Sequence, residues 1–130
     1  MTDQPPLVLL ADDEPDILLL YKTKLERAGF RVVTAINGAE AVEIAGAQHP
    51  DLILMDVKMP VLDGVAAHDK LKENPATKDL KVVFLTAFSD YSRSEVDEIF
   101  AKETGALDFI KKGINLDELV TKVKGYLGRV

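Results

Sequence analysis

The 130-residue chain is expected to fold as an α/β domain, a parallel sheet with helices on both faces. Three observations lead there. Short, uniformly apolar runs alternate with segments of helical periodicity five times over. Each apolar run has only four or five residues, the length of a strand buried on both faces. Proline, glycine and helix-capping signals fall between the runs rather than inside them.

The first run, Leu7–Ala11, is followed by Asp12-Asp13-Glu14-Pro15. Pro15 suits the first turn of a helix and Asp13 is expected to cap it. That helix runs to about residue 28, with Ile17, Tyr21, Leu25 and Ala28 on one face and Gly29 as its stop. Arg31–Ala35 reads as strand two. Asn37 with Glu40 is a helix-start signature, and Ala41, Val42, Ile44 and Ala45 supply the apolar face behind it. Pro50 precedes strand three, residues 52–55. A third helix spans Gly64–Glu73, and strand four is expected over residues 81–85. Ser92 with Glu95 begins a fourth helix bearing Val96, Ile99 and Phe100. Strand five is expected over residues 106–110. The last helix starts at Asn115, capped with Glu118, and buries Leu116, Leu119, Val120, Val123 and Leu127. Five βα units in a row imply right-handed crossovers and one domain over residues 1–130, its core at about 7–127. The chain ends just after its last helix, so no second domain is expected in it.

Four of the strands finish on chemistry-bearing groups: Asp12 and Asp13, Asp56, Thr86, and Lys111 with Lys112. An open parallel sheet gathers the carboxyl ends of its strands along one edge, where ligands bind. Adjacent carboxylates near a third raise one another's pKa unless a cation intervenes. A small hard cation with oxygen ligands answers that need, which points to Mg²⁺. Asp56 is the nucleophile candidate, since a carboxylate can accept a phosphoryl group as an acyl phosphate. The transfer then needs positioning and neutralisation, with Mg²⁺ on one side, Lys112 on the other and the Thr86 hydroxyl on a remaining oxygen. Taken singly, each group has a plainer role: Asp12 and Asp13 as helix caps, Thr86 as a strand-end hydroxyl, Lys112 as a solvated lysine. The joint pattern carries the reading.

Composition narrows the classes. An apolar fraction of 47% and a charged fraction of 29% are those of a globular protein, and no run approaches a membrane span. The absence of cysteine excludes disulfides, thiolate metal sites and a cysteine nucleophile. A net charge of −6 argues against direct nucleic-acid binding. Residues 1–6 lack the pattern of a secretion signal, so a cytoplasmic location is expected. Lysines near the C-terminus, Lys122 and Lys124 with Arg129, read as a solvated helix face.

These residues resemble a known family. Leu-Leu-Ala-Asp-Asp-Glu-Pro around Asp12, Leu-Ile-Leu-Met-Asp-Val-Lys-Met-Pro-Val-Leu-Asp-Gly around Asp56, Leu-Thr-Ala around Thr86, and Gly-Ala-Leu-Asp-Phe-Ile-Lys-Lys ending at Lys112 stand in order. Together they resemble a response-regulator receiver domain of two-component signalling, the CheY-like family. The resemblance implies a three-layer flavodoxin-like fold with strand order 2-1-3-4-5. It implies that Asp56 takes a phosphoryl group from a phosphohistidine on a sensor histidine kinase or histidine phosphotransfer protein. Asp12 and Asp13 match the metal-binding pair, and the backbone carbonyl of Lys58 falls where the family supplies another Mg²⁺ ligand. Thr86 and Phe109 match a switch pair that alters the surface of helix four, strand five and the last helix toward a downstream effector protein. Slow loss of the receiver's own acyl phosphate would end the signal.

The sequence also departs from that family. Gly113 follows Lys112 where a proline is usual, and Ile114 replaces an aromatic. A cis bond before glycine would cost about 2.5–4 kcal/mol, so a trans connection is expected. The stretch from Thr86 to Gly105 is about one helical turn longer than common, and places Phe88 and Tyr91 beside the site. Two alternatives compete with a signalling receiver. A Mg²⁺-dependent aspartyl-phosphate hydrolase would carry a general acid two residues after Asp56, where this chain has Lys58. A degenerate receiver would serve only as a binding platform.

Overall fold

The computed structural model describes residues 4–87 and 106–128. Five strands form one parallel sheet: β1 Leu7–Ala11, β2 Arg31–Ala35, β3 Leu52–Asp56, β4 Val82–Thr86 and β5 Asp108–Lys111. Their spatial order is β2-β1-β3-β4-β5, so the chain reverses direction across the sheet between β1 and β3. That reversal opens the crevice in which the acidic strand ends meet.

Alternation along the strands divides the core into two layers. Val8, Leu10, Leu52, Leu54, Val83, Leu85 and Ile110 face one way and pack with Tyr21 and Leu25 of helix α1 (Pro15–Arg27) and with Leu119 and Val123 of the C-terminal helix (Leu116–Tyr126). Leu9, Ala11, Ile53, Met55, Val82 and Phe84 face the other way, toward α2 (Gly38–Gln48) and α3 (Gly64–Glu73). Strands β1, β3 and β4 are buried at every position because both faces are covered, which is why they read as unbroken apolar runs.

Caps close the helices as expected in two cases. Asn37 Oδ1 accepts from the Glu40 N–H at 2.8 Å, and Asn115 Oδ1 accepts from Asp117 and Glu118 at 2.9 and 3.2 Å. The start of α1 differs. Glu14 stands at its N-cap without a side-chain bond, and it is Asp12 Oδ1 that takes the Glu14 N–H, at 2.9 Å. Asp13 does not cap; its side chain is exposed. The strand ends at Ala11, so Asp12 is the carboxylate left directly beneath the helix start.

Strand four lies one residue later than the expected 81–85, and strand five begins two residues later than expected, at Asp108. Register explains both: Val83 pairs with Asp108 and Thr86 with Lys111, so polar residues join the ladder where a neighbour offers hydrogen bonds. The helix expected from Ser92, with Val96, Ile99 and Phe100, and the loop bearing Phe88 and Tyr91 lie outside the described residues. Among the described residues no helix is long and apolar enough to cross a membrane.

Candidate functional site at the carboxyl edge of the sheet

The sheet brings the expected groups to one place. Asp56 ends β3 and is 3% exposed; Asp12 follows β1 and is fully buried; Thr86 ends β4 and is 2% exposed. Lys112 lies in the turn after β5, where its backbone N–H donates to the Thr86 carbonyl at 2.7 Å. That bond places the lysine, and a continued strand does not. Its Nζ stands 2.9 Å from Asp12 Oδ2, from Asp56 Oδ2 and from Glu14 Oε1. Lys111 points to the exposed side, so Lys112 is the one that serves the crevice. The Lys112–Gly113 peptide is trans, as expected.

The loop after Asp56 is shaped by a close approach. The Gly64 N–H donates to the Val57 carbonyl at 2.8 Å, and a Cβ on Gly64 would lie 2.2 Å from the Asp56 carbonyl oxygen. Only glycine lets α3 start this near the acceptor strand. The Lys58 N–H donates to Asp56 Oδ1 at 3.3 Å, which turns one carboxylate oxygen toward the loop and leaves Oδ2 for the lysine.

Burial controls the electrostatics. It pushes the Asp56 carboxyl up to about 6, with the hydrogen bond from Lys112 opposing and the neighbouring Asp12 charge adding. Asp12 is raised by the same cause, against the Glu14 N–H and Lys112. Mutual repulsion was the expected source of such shifts; loss of water is the larger one. Burial also works against the Lys112 ammonium, yet its bonds to Glu14, Asp56 and Asp12 outweigh that and raise its pKa.

One ammonium thus faces several carboxylates. Ligand oxygens of Asp12, Asp13, Glu14 and Asp56 all lie within 4.8 Å of one another. Asp12 Oδ2 is buried and has the ionic contact with Lys112 but no hydrogen bond of good geometry among the described residues. A set of hard oxygen donors with surplus negative charge fits a divalent cation such as Mg²⁺. The Thr86 hydroxyl is buried and likewise lacks a partner among the described residues. Phe109 pairs across the ladder with Phe84 and packs, partly buried, against the layer of α2 and α3.

The residue that sequence reasoning passed over is Glu14. Its signal was present, a third acid directly after Asp12 and Asp13, but only the fold shows it 2.9 Å from a lysine 98 residues away.

Comparison with known proteins agrees with this geometry. A family model described as the response regulator receiver domain matches residues 8–124. The transcriptional regulatory protein PrrA of Mycobacterium tuberculosis is 41% identical over 125 residues, covering 95% of this chain and 51% of PrrA. The alkaline phosphatase synthesis regulator PhoP of Bacillus subtilis is 35% identical, covering 94% of this chain and 48% of PhoP. The chain therefore spans about half the length of these curated relatives. Among solved structures, a signal receiver domain of a histidine kinase from Syntrophus aciditrophicus superposes with a TM-score of 0.83 at 33% identity, covering 95% of this chain and 90% of that one. The receiver domain of a sensor histidine kinase from Pseudomonas aeruginosa gives 0.84 at 27% identity, covering 95% and 98%, and carries a magnesium ion in its active-site cleft.

Proposed function

Because the chain belongs to the response-regulator receiver domain family, we propose that it is a phosphorylatable signalling module whose acceptor is Asp56. The observation that carries this reading is a buried Asp56 carboxylate whose Oδ2 lies 2.9 Å from Lys112 Nζ, inside a four-carboxylate cluster.

In the proposed step an Asp56 oxygen attacks the phosphorus of a phosphohistidine on a sensor kinase or phosphotransfer protein. The P–N bond breaks, and its electron pair returns to the imidazole nitrogen. A divalent cation held by Asp12, Asp13, Asp56 and the Lys58 carbonyl would supply charge neutralisation for the phosphoryl oxygens. Lys112 neutralises from the other side. The Thr86 hydroxyl, buried without a partner among the described residues, donates to a phosphoryl oxygen. Movement of Thr86 and inward turning of Phe109 then alter the surface around β5 and the C-terminal helix, and with it the affinity for an effector protein. Hydrolysis of the acyl phosphate returns the domain to rest.

Incubation with phosphoramidate and Mg²⁺, followed by intact-mass measurement, tests the reading. A single phosphoryl adduct on the wild type that is lost in Asp56→Asn supports it. Repeated release of inorganic phosphate from an external ester would favour a hydrolase instead, and no adduct would leave a binding platform. Thr86→Ala is expected to keep the adduct while weakening its effect on partner binding.

A further inference from the structure

Glu14 occupies the N-cap of α1, yet its side chain caps nothing. Pro15 directly after it restricts its backbone to the extended region, where it stands. Short polar side chains are favoured at such a position because their oxygen folds back onto the helix start, and glutamate is not one of them. The backbone is fixed all the same: the Glu14 N–H donates to Asp12 Oδ1 at 2.9 Å, and its carbonyl accepts from the Leu18 N–H at 3.1 Å. The carboxylate turns instead to the crevice, where Oε1 accepts from Lys112 Nζ at 2.9 Å.

The three carboxylates around the ammonium are not equivalent. Lys112 donates to Glu14 and Asp56, and Asp12 Oδ2 stands in ionic contact at the same 2.9 Å. The lysine side chain is 8% exposed, and its ammonium has three N–H donors in all. A phosphoryl oxygen on Asp56 therefore gains a place beside it only as a carboxylate gives way. Burial decides which one. The side chains of Asp12 and Asp56 are 0% and 5% exposed, and parting either from the lysine leaves a charge uncompensated in the interior. That of Glu14 is 57% exposed, so water replaces the lysine there at little cost. The outermost contact is the weakest.

We infer that Glu14 is the resting partner of Lys112 and the contact it surrenders: the ammonium leaves Glu14 to meet a phosphoryl oxygen on Asp56, so this side chain restrains transfer from small anionic donors. The inference rests on the phosphoacceptor reading given above. It adds a residue that acts on the reaction through the lysine and takes no part in holding a cation.

Glu14→Ala is the informative variant, since the side chain is exposed and makes no cap bond whose loss would unfold α1. Three measurements decide. The first is the rate of adduct formation with phosphoramidate at saturating Mg²⁺, expected to rise about three- to fivefold, the scale of a partly exposed ion pair. Asp16→Ala, which removes an exposed acid from the first turn of the same helix, is the control and is expected to leave that rate unchanged. The second is proton exchange of the Lys112 ammonium, followed by nitrogen NMR without Mg²⁺ and expected to quicken in Glu14→Ala. The third is Mg²⁺ affinity, expected to be nearly unchanged. A rate that stays level or falls overturns the proposal, as does an equal rise in Asp16→Ala, the mark of a general field. Unaltered ammonium exchange overturns it too. A loss of about tenfold or more in Mg²⁺ affinity would make Glu14 part of the cation's own support and defeat it likewise. Failure of the wild type to form an adduct would instead defeat the acceptor reading, and the ammonium exchange would still decide whether Glu14 holds the lysine.

Discussion

The two edges of the sheet are built on opposite terms. At the amino edge, donors meet acceptors one for one. The Leu7 N–H donates to Asp51 Oδ2 at 2.7 Å, Arg31 Nε to the Pro5 carbonyl at 2.9 Å, Lys81 Nζ to the Tyr126 carbonyl at 2.8 Å, and the Tyr126 hydroxyl to Asp108 Oδ2 at 2.6 Å. At the carboxyl edge three carboxylates share one ammonium, and a buried threonine hydroxyl has no partner among the described residues. The first edge holds the strands in register. The second carries surplus negative charge, which under the proposed function a divalent cation would neutralise. Groups with displaced pKa values gather at such places because reactivity needs them and the rest of the fold can carry their cost.

The largest expected effect comes from removing that imbalance. The Asp56 carboxyl titrates near 6 when folded and close to 4 when unfolded. Between those values the native state holds a proton that the unfolded chain has released, so stability falls as pH rises from about 4 to about 6 and stays lower above. Asp12, also raised, acts with the same sign. The Asp56 share is about 3 kcal/mol. Melting curves in chelator should therefore shift upward from pH 7.5 to pH 5, and Asp56→Asn should flatten much of that slope. A pH-independent wild type would erase the contrast between the edges.

A cation should act in the same sense at neutral pH. Mg²⁺ at a hundredfold excess over its dissociation constant is expected to stabilise the fold by about 2.7 kcal/mol, read as a rise in melting temperature. Identical curves with and without millimolar Mg²⁺ would contradict it.

The amino edge should respond less, and only in stability. Tyr126→Phe removes the bond to Asp108 and is expected to cost about 1 kcal/mol by urea unfolding, with the phosphorylation rate unchanged. A slowed rate would mean that the two edges are coupled through β5. Smallest of all is the exposed pair of Lys24 with Asp117. Lys24→Ala should leave the melting temperature within error, because such pairs are screened by water and salt.

Much of this was legible beforehand. Unbroken apolar runs announced β1 and β3, and Asn37 and Asn115 announced the helices they cap, because burial on two faces and a capped helix start are written in neighbouring residues. Each misplacement has its own cause. Asp13 was expected to cap α1 and Asp12 does the bonding; strand five was read from its apolar start, and pairing with β4 moved it to Asp108. At β5 a strand distant in sequence made the choice; at α1 it was the end of β1 at Ala11, which leaves Asp12 beneath the helix start.

The order of elements and the polar groups at the strand ends were thus determined by the amino-acid sequence alone, since periodicity, capping and turn chemistry act over a few residues. Which of those groups meet was decided by the tertiary structure. Lys112 reaches Glu14 across 98 residues, and Asp12 and Asp56 converge on the same ammonium, because hydrogen bonds and Coulomb forces depend on ångström separations that only packing sets. The same is true of the Asp56 pKa, which follows from water excluded by layers of side chains drawn from the whole chain.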